Sequence, residues 1–328
     1  MTAIEEVPPA PPVREKARRL FANFMSRPLD WLVAMLVSWI IPLGLLGFQS
    51  TYFTSLAFWA VPVVLLLPRL FYETDAGGRR RRAFWYTVLF IVIGGIVLDF
   101  VFGEWILMFG NDSEYIWRFP FGQRIPIEEV LFYLLGGMTV TLVYIWADEY
   151  WLKAYNVRQQ RTNEDLFGGL FRLVEFSPHV LLTAIGLFVA GVVLKWRITG
   201  QLWPPPYYFT FLVLAAVVPA ILIYRNVKRV VNWRAFALTS LYMLLTACIW
   251  EVSLGIARGW WWYKAPPAVI GWTVTPFGSL PDRFYPIEAM LVWFAVSFDA
   301  IFIYELLKGI TYDTRKPREA LFGAAPPT

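Results

Sequence analysis

The chain has 328 residues, of which 58% are apolar, 18% aromatic and only 16% charged, with a formal net charge of +5. A water-soluble domain of this length needs a far more charged surface, so the composition excludes one. The positive charge, distributed between apolar runs, reads as membrane topology and attraction to anionic lipid, not as a nucleic-acid footprint.

Residues 1–29 are Pro-rich and charged and contain no cleavable apolar core, so they read as a disordered cytoplasmic arm. Eight apolar runs follow, near the length that crosses a hydrocarbon core, at 31–48, 52–72, 84–108, 127–147, 179–195, 207–224, 235–257 and 287–307. Basic residues gather in alternate connections. Arg14, Lys16, Arg18, Arg19 and Arg27 precede the first run, and Arg69 and Arg79–Arg82 follow the second. Lys153, Arg158, Arg161 and Arg172 follow the fourth, Arg225, Lys228, Arg229 and Arg234 the sixth, and Lys308, Arg315, Lys316 and Arg318 the eighth. By the positive-inside bias this places both termini in the cytoplasm and makes the number of spans even, in the cytoplasmic membrane.

The second half echoes the first. Pro62 matches Pro219, Asp99 and Glu251 each precede a glycine by four residues (Gly103, Gly255), and Pro126-Ile127-Glu128 matches Pro286-Ile287-Glu288. The expected fold is an all-α polytopic membrane helical bundle of about eight transmembrane helices, arranged as two parallel four-helix repeats. The expected divisions are a first repeat at 30–150, a cytoplasmic linker at 151–178, a second repeat at 179–308 and a cytoplasmic tail at 309–328.

Ionisable side chains inside a bilayer cost several kcal/mol (about 2.5–3.5 on insertion scales), so those that persist mark function by default. Asp99 and Glu251 lie deep in outward-running spans, while Glu128 and Glu288 sit in the first turns of inward-running ones, each just after a proline suited to a helix start. All four fall in one layer near the outer leaflet. Glu129 adds a fifth carboxyl, about 100° around the helix from Glu128, and its counterpart in the second half is Ala289. A helix N-terminus favours the carboxylate, whereas burial and a neighbouring carboxyl favour the neutral acid, a proton donor. A structural role is open for each: helix capping by Glu128 and Glu288, and hydrogen bonds from Tyr or Trp neighbours to Asp99 and Glu251. Asp299 lies eleven residues beyond Glu288 on about the same helix face, as a second acid, a relay or a structural partner. His179 reads as an interface residue, and Asn111–Glu114 as an exposed loop.

Aromatic residues crowd the acid layer: Trp105, Tyr115, Trp117, Phe119 and Phe121 in the first half, and Trp260, Trp261, Trp262, Tyr263 and Trp272 in the second. They suit an interfacial belt, and those facing inward suit stabilisation of a carbocation through their π faces. No Gly-x-Gly-x-x-Gly follows a strand and no zinc spacing occurs, so neither a cofactor nor a metal is expected. The lone Cys248 allows no internal disulfide.

The acid-bearing span, its glycine, and Pro126-Ile127-Glu128-Glu129-Val130-Leu131-Phe132 together resemble the integral-membrane lycopene cyclases, the small two-part carotenoid cyclases of actinobacteria, archaea and fungal fusion proteins. Glu251, Gly259 to Tyr263 and Pro286-Ile287-Glu288 resemble a second, fused copy. The resemblance implies an isomerase, or intramolecular lyase, of carotenoid biosynthesis that closes a linear carotene end group without redox change. It implies acid–base catalysis by Glu128 or Glu129 with Asp99, and by Glu288 with Glu251, and substrate contacts from Trp105, Trp260, Trp262 and Tyr263. The partner is a membrane-embedded carotenoid or other isoprenoid; a homo-oligomer or association with carotenoid-pathway enzymes is left open. A carotenoid hydratase using the same cation, and a non-catalytic lipid or carotenoid transporter or binding protein, are the alternatives.

Overall fold

The computed structural model describes residues 15–16, 23–46, 51–72, 78–103, 106–110, 117–118, 124–156, 174, 177–263, 268–274, 285–312 and 317–322. It is an all-α helical bundle. After α1 (Asp30–Leu46) come seven helices long and apolar enough to cross a membrane: α2 (Tyr52–Phe71), α3 (Arg80–Gly103), α4 (Ile127–Trp151), α5 (Pro178–Thr199), α6 (Tyr207–Val227), α7 (Trp233–Ile256) and α8 (Ile287–Ile310). This is the architecture of an integral membrane protein. Each of the eight expected spans contains a helix, but the third, expected to run to 108, gives way to strand at Leu107, and α1 has 17 described residues with Pro42 inside it, fewer than the other seven. The weakest apolar run, 179–195, belongs to a 22-residue helix. Ser177 caps it through the His179 N–H, and Pro178 in the first turn gives up an N–H that would lack an acceptor there.

The packing repeats. Within the first four helices α1 lies on α2, α2 on α4, and α3 on α4; within the last four α5 lies on α6, α6 on α8, and α7 on α8. The halves join by exchange: α3 packs on α8 and α7 on α4, with α4 and α8 in contact at the centre. In hydrocarbon such contacts gain little from burial alone, so hydrogen bonds between helices add specificity, each at about 0.6 kcal/mol. Trp39 Nε1 donates to Thr246 Oγ1 at 2.9 Å, Tyr242 Oη to Ser38 Oγ at 2.8 Å, and Trp250 Nε1 to Ser55 Oγ at 3.0 Å, tying α1 and α2 to α7. At the far end Lys308 lies 3.2 Å from Glu305 and 3.8 Å from Asp148, while Asn232, the N-cap of α7, donates to Asp148 at 3.1 Å.

Two local features recur in each half at the end where α3 finishes and α4 starts, called the site end below. Asp99 opens a π-helical turn, Asp99–Gly103, and Glu251 opens another, Glu251–Ile256. A small antiparallel pair precedes each acidic helix start: β2 (Trp117–Arg118) with β3 (Arg124–Ile125), and β5 (Thr273–Val274) with β6 (Tyr285–Pro286). A third ribbon crosses between the halves, β1 (Leu107–Phe109) pairing with β4 (Trp261–Tyr263) in the register Leu107↔Tyr263, Met108↔Trp262, Phe109↔Trp261. The two loops therefore form one cap over the site end.

Candidate active site between the repeats

The π turns explain how an acid reaches the interior. A π turn widens a helix by one residue per turn and re-aims the side chains that follow, and such turns concentrate at functional sites. Asp99 and Glu251 occupy the first position of their turns and both are buried. The glycine four residues later has a steric reason in the second half: a Cβ on Gly255 would overlap the Trp261 indole, which packs back against the turn from β4.

Pro126 is the N-cap of α4 with an extended backbone (φ −67°, ψ 148°), and Ile127 is the first helical residue. The proline thus stands one position earlier than expected, its ring closing the ribbon before the helix begins. Glu128 and Glu129 follow in the first turn and both are buried. Their 100° separation decides their roles. Glu129 forms part of the wall of a cavity of about 150 Å³, whereas Glu128 does not.

The cavity lies at the junction of α3, α4, α6, α7 and α8, beneath the β1–β4 cap. The first repeat contributes Gly94, Leu98, Glu129, Phe132, Tyr133, Gly136 and Gly137, and the second Tyr208, Phe211, Ala215, Trp250, Glu251, Trp261, Tyr263, Trp293, Val296 and Asp299. It is one cavity with acids from both halves. Glu129 and Glu251 face it together and are close enough to interact electrostatically.

Each of those two carboxyls sits among fixed donors. Tyr52 and Tyr133 hydrogen-bond to Glu129, and Tyr133 also reaches Asp99, so Asp99 stands behind Glu129 with one phenol between them. Tyr133 is itself seated on Gly95, where a Cβ would overlap its ring. Glu251 accepts from Trp293 Nε1 at 2.7 Å and Tyr263 Oη at 2.8 Å, with the Tyr285 phenol beside it. Burial, and then the Glu251 charge, push the Tyr263 and Tyr285 phenols above their ordinary value, so both stay protonated donors at neutral pH. The expected Tyr and Trp partners of the deep acids are present.

An aromatic wall floors the acid pair. Trp59 stacks on Trp293 at 4.9 Å with planes 8° apart, and Phe132 stacks on Trp250 at 4.9 Å and 20°. Trp250 then meets Trp261 at 4.6 Å, and Trp261 meets Tyr52 at 4.8 Å. Fixed ring faces of this kind attract a cation, by about 2 kcal/mol or more where water is excluded.

The remaining expected site residues fall elsewhere. Glu288 is fully buried, and its Oε1 accepts the backbone N–H of Ile270 at 2.5 Å, so it clamps the loop before β5 from outside the cavity wall. Trp260 is buried behind the wall against Tyr52, not at a headgroup boundary, because the ribbon folds its loop back over the bundle. Trp262 is half-buried in the ribbon opposite Met108 and does not line the cavity. Tyr263 lines it and holds Glu251. Trp105 and the Asn111–Glu114 loop lie outside the described residues, as do most of the arm and the linker.

Sequence reasoning passed over Tyr52, Phe132, Tyr133, Trp250 and Trp293. A signal for two of them was present. Counting from Glu129 by helical spacing gives Phe132, Tyr133, Gly136 and Gly137, which are the α4 residues in the cavity wall. No known protein family, curated protein or solved structure matches this chain.

Proposed function

We propose that the protein is a lycopene-type carotenoid cyclase, an isomerase that closes the end of a linear polyene by acid–base catalysis at a single site shared by the two repeats. The observation that carries this reading is the pair Glu129 and Glu251, from different repeats, facing one apolar cavity with an aromatic floor. An apolar cavity of about 150 Å³ admits a benzene-sized group, which suits one six-membered end ring while the rest of the chain projects away. Phe90 belongs to the cavity wall and is also 47% exposed on the outer face of α3, so the cavity reaches the bundle surface there. A substrate dissolved in lipid enters along that path.

In the proposed reaction Glu129, as the neutral acid, donates its proton to the terminal double bond and leaves a tertiary cation. The next double bond along the chain attacks it, closing the ring and moving the positive charge onto a ring carbon. Glu251, as the carboxylate, removes a proton from an adjacent carbon and restores a double bond. One proton is added and one removed, so no oxidant or cofactor is consumed. The aromatic wall stabilises the cation, and exclusion of water protects it from hydration. Between turnovers the proton taken by Glu251 passes back to Glu129, which Tyr133 and Asp99 hold in place from behind, so both carboxyls are reset. Positioned general acids and bases contribute about 10²–10⁴-fold each. The residues form a single catalytic set, with Glu128 and Glu288 holding the helix start and the cap.

Expression in a lycopene-accumulating bacterium tests the reading, with pigments resolved by chromatography and mass. Cyclic products of unchanged mass support it. Products heavier by one water assign the hydratase alternative, and unaltered pigment taken up by vesicles assigns a carrier.

A further inference from the structure

One acid in the cavity has no place in that reaction. Asp299, on α8, lines the cavity, is 8% exposed, and its Oδ1 has no hydrogen-bond partner among the described residues. Asp299 is set apart by lining the cavity, where a ligand can reach its open oxygen. Asp299 lies six residues beyond Trp293, the residue that holds Glu251, which is about 9 Å along the helix. It stands deeper in the cavity than the Trp293 that holds Glu251. The wall of α8 between them is Ala295 and Val296, which offer no side chain to relay a proton.

We infer that Asp299 is a binding site for an oxygen function, a hydroxyl or carbonyl, carried by the isoprenoid deeper in the cavity than its reacting double bond. This rests on the cyclase reading and gives it a narrower substrate class: oxygenated linear isoprenoids in preference to pure hydrocarbons. The chemistry matches from both sides. A carboxyl in an apolar wall can donate to a carbonyl or exchange hydrogen bonds with a hydroxyl, whereas a hydrocarbon passing the same point leaves it unsatisfied. A site that leaves a buried polar group unpaired discriminates strongly against the ligand lacking its partner. Small residues in the cavity wall, Gly94 and Gly136 in one repeat and Ala215 and Ala295 in the other, leave room for the chain to pass.

The test is equilibrium binding to the full-length protein in detergent, comparing farnesol with farnesene by isothermal titration in identical micelles. The wild-type protein is expected to bind the alcohol about tenfold more tightly or better. Asp299→Leu is expected to abolish that preference while binding farnesene at least as well, and Asp299→Asn, which keeps a hydrogen-bonding group, to retain it. The inference is overturned if the wild-type protein shows no preference or if the preference persists in Asp299→Leu. Binding of farnesene without a preference for farnesol refutes the role of Asp299 alone. Failure of both ligands to bind refutes the isoprenoid reading of the cavity as well.

Discussion

Glu251 can be stripped of its donors one at a time without emptying the space around it. Trp293→Phe removes the Nε1–H that reaches Oε1 at 2.7 Å and keeps a ring for the stack on Trp59. Tyr263→Phe removes the hydroxyl that reaches Oε2 at 2.8 Å and keeps the ring stacked on Tyr208. A hydrogen bond to an ionised group contributes about 1.5–3 kcal/mol. If Glu251 takes the ring proton as a carboxylate, each deletion should slow cyclisation by about ten- to a hundredfold, at 1.36 kcal/mol per decade. The double variant should fall short of the product of the two, because neighbouring donors on one carboxyl are not independent. Initial rates of cyclic product formation in membranes, normalised to folded protein by size-exclusion chromatography, provide the readout. Wild-type rates in both single variants and in the double variant would mean that Glu251 takes no part in the chemistry.

Other substitutions test the scaffold. Gly255→Val places a branched side chain into the Trp261 indole and should cost about 1–3 kcal/mol by overpacking, seen as a lower melting temperature and an altered near-ultraviolet circular dichroism spectrum. Glu288→Ala leaves the buried Ile270 N–H without its acceptor and should destabilise the protein by about 1–3 kcal/mol in thermal unfolding. The same variant should keep cyclisation within roughly tenfold of wild type, since its carboxyl is outside the cavity. Gly136→Leu projects into the cavity from α4 with its Cβ clear of neighbours except Phe132 at 3.8 Å. It should abolish polyene binding in a fluorescence titration while the protein elutes as a folded species.

The membrane architecture was legible because bilayer thickness imposes a length and the positive-inside bias a pattern, and both survive in sequence without a partner chain. Seven of the eight apolar runs have 18 residues or more, and only 179–195 is shorter. The run ending at Lys195 was cut short in the reading because Lys195 and Arg197 lower its hydropathy, yet they lie within the last turns of α5. The acid layer was legible for the same reason that it is costly: Asp99, Glu129 and Glu251 stand out against lipid-soluble neighbours. Which acids face a common space was not legible, since it depends on the exchange of α3 and α7 between repeats and on the two π turns, and neither leaves a local sequence mark. Reading each Pro-Ile-Glu as its own acid site followed the duplication too literally. Glu129, the residue without a counterpart across the repeat, is the one that faces Glu251. The aromatic floor was hidden by composition: with 17 tryptophans in the chain, only packing distinguishes Trp250 and Trp293 in the wall from the exposed Trp203 and Trp272.

The most direct measurement compares four single variants, Glu129→Gln, Glu251→Gln, Glu128→Gln and Glu288→Gln, in a lycopene-accumulating host with pigments separated by chromatography. A single composite site predicts that the first two yield a hundredth or less of the cyclic product at normal protein levels, whereas the last two stay within about tenfold of wild type. Full activity in Glu129→Gln or Glu251→Gln, or loss of activity divided equally between the two halves, would contradict it.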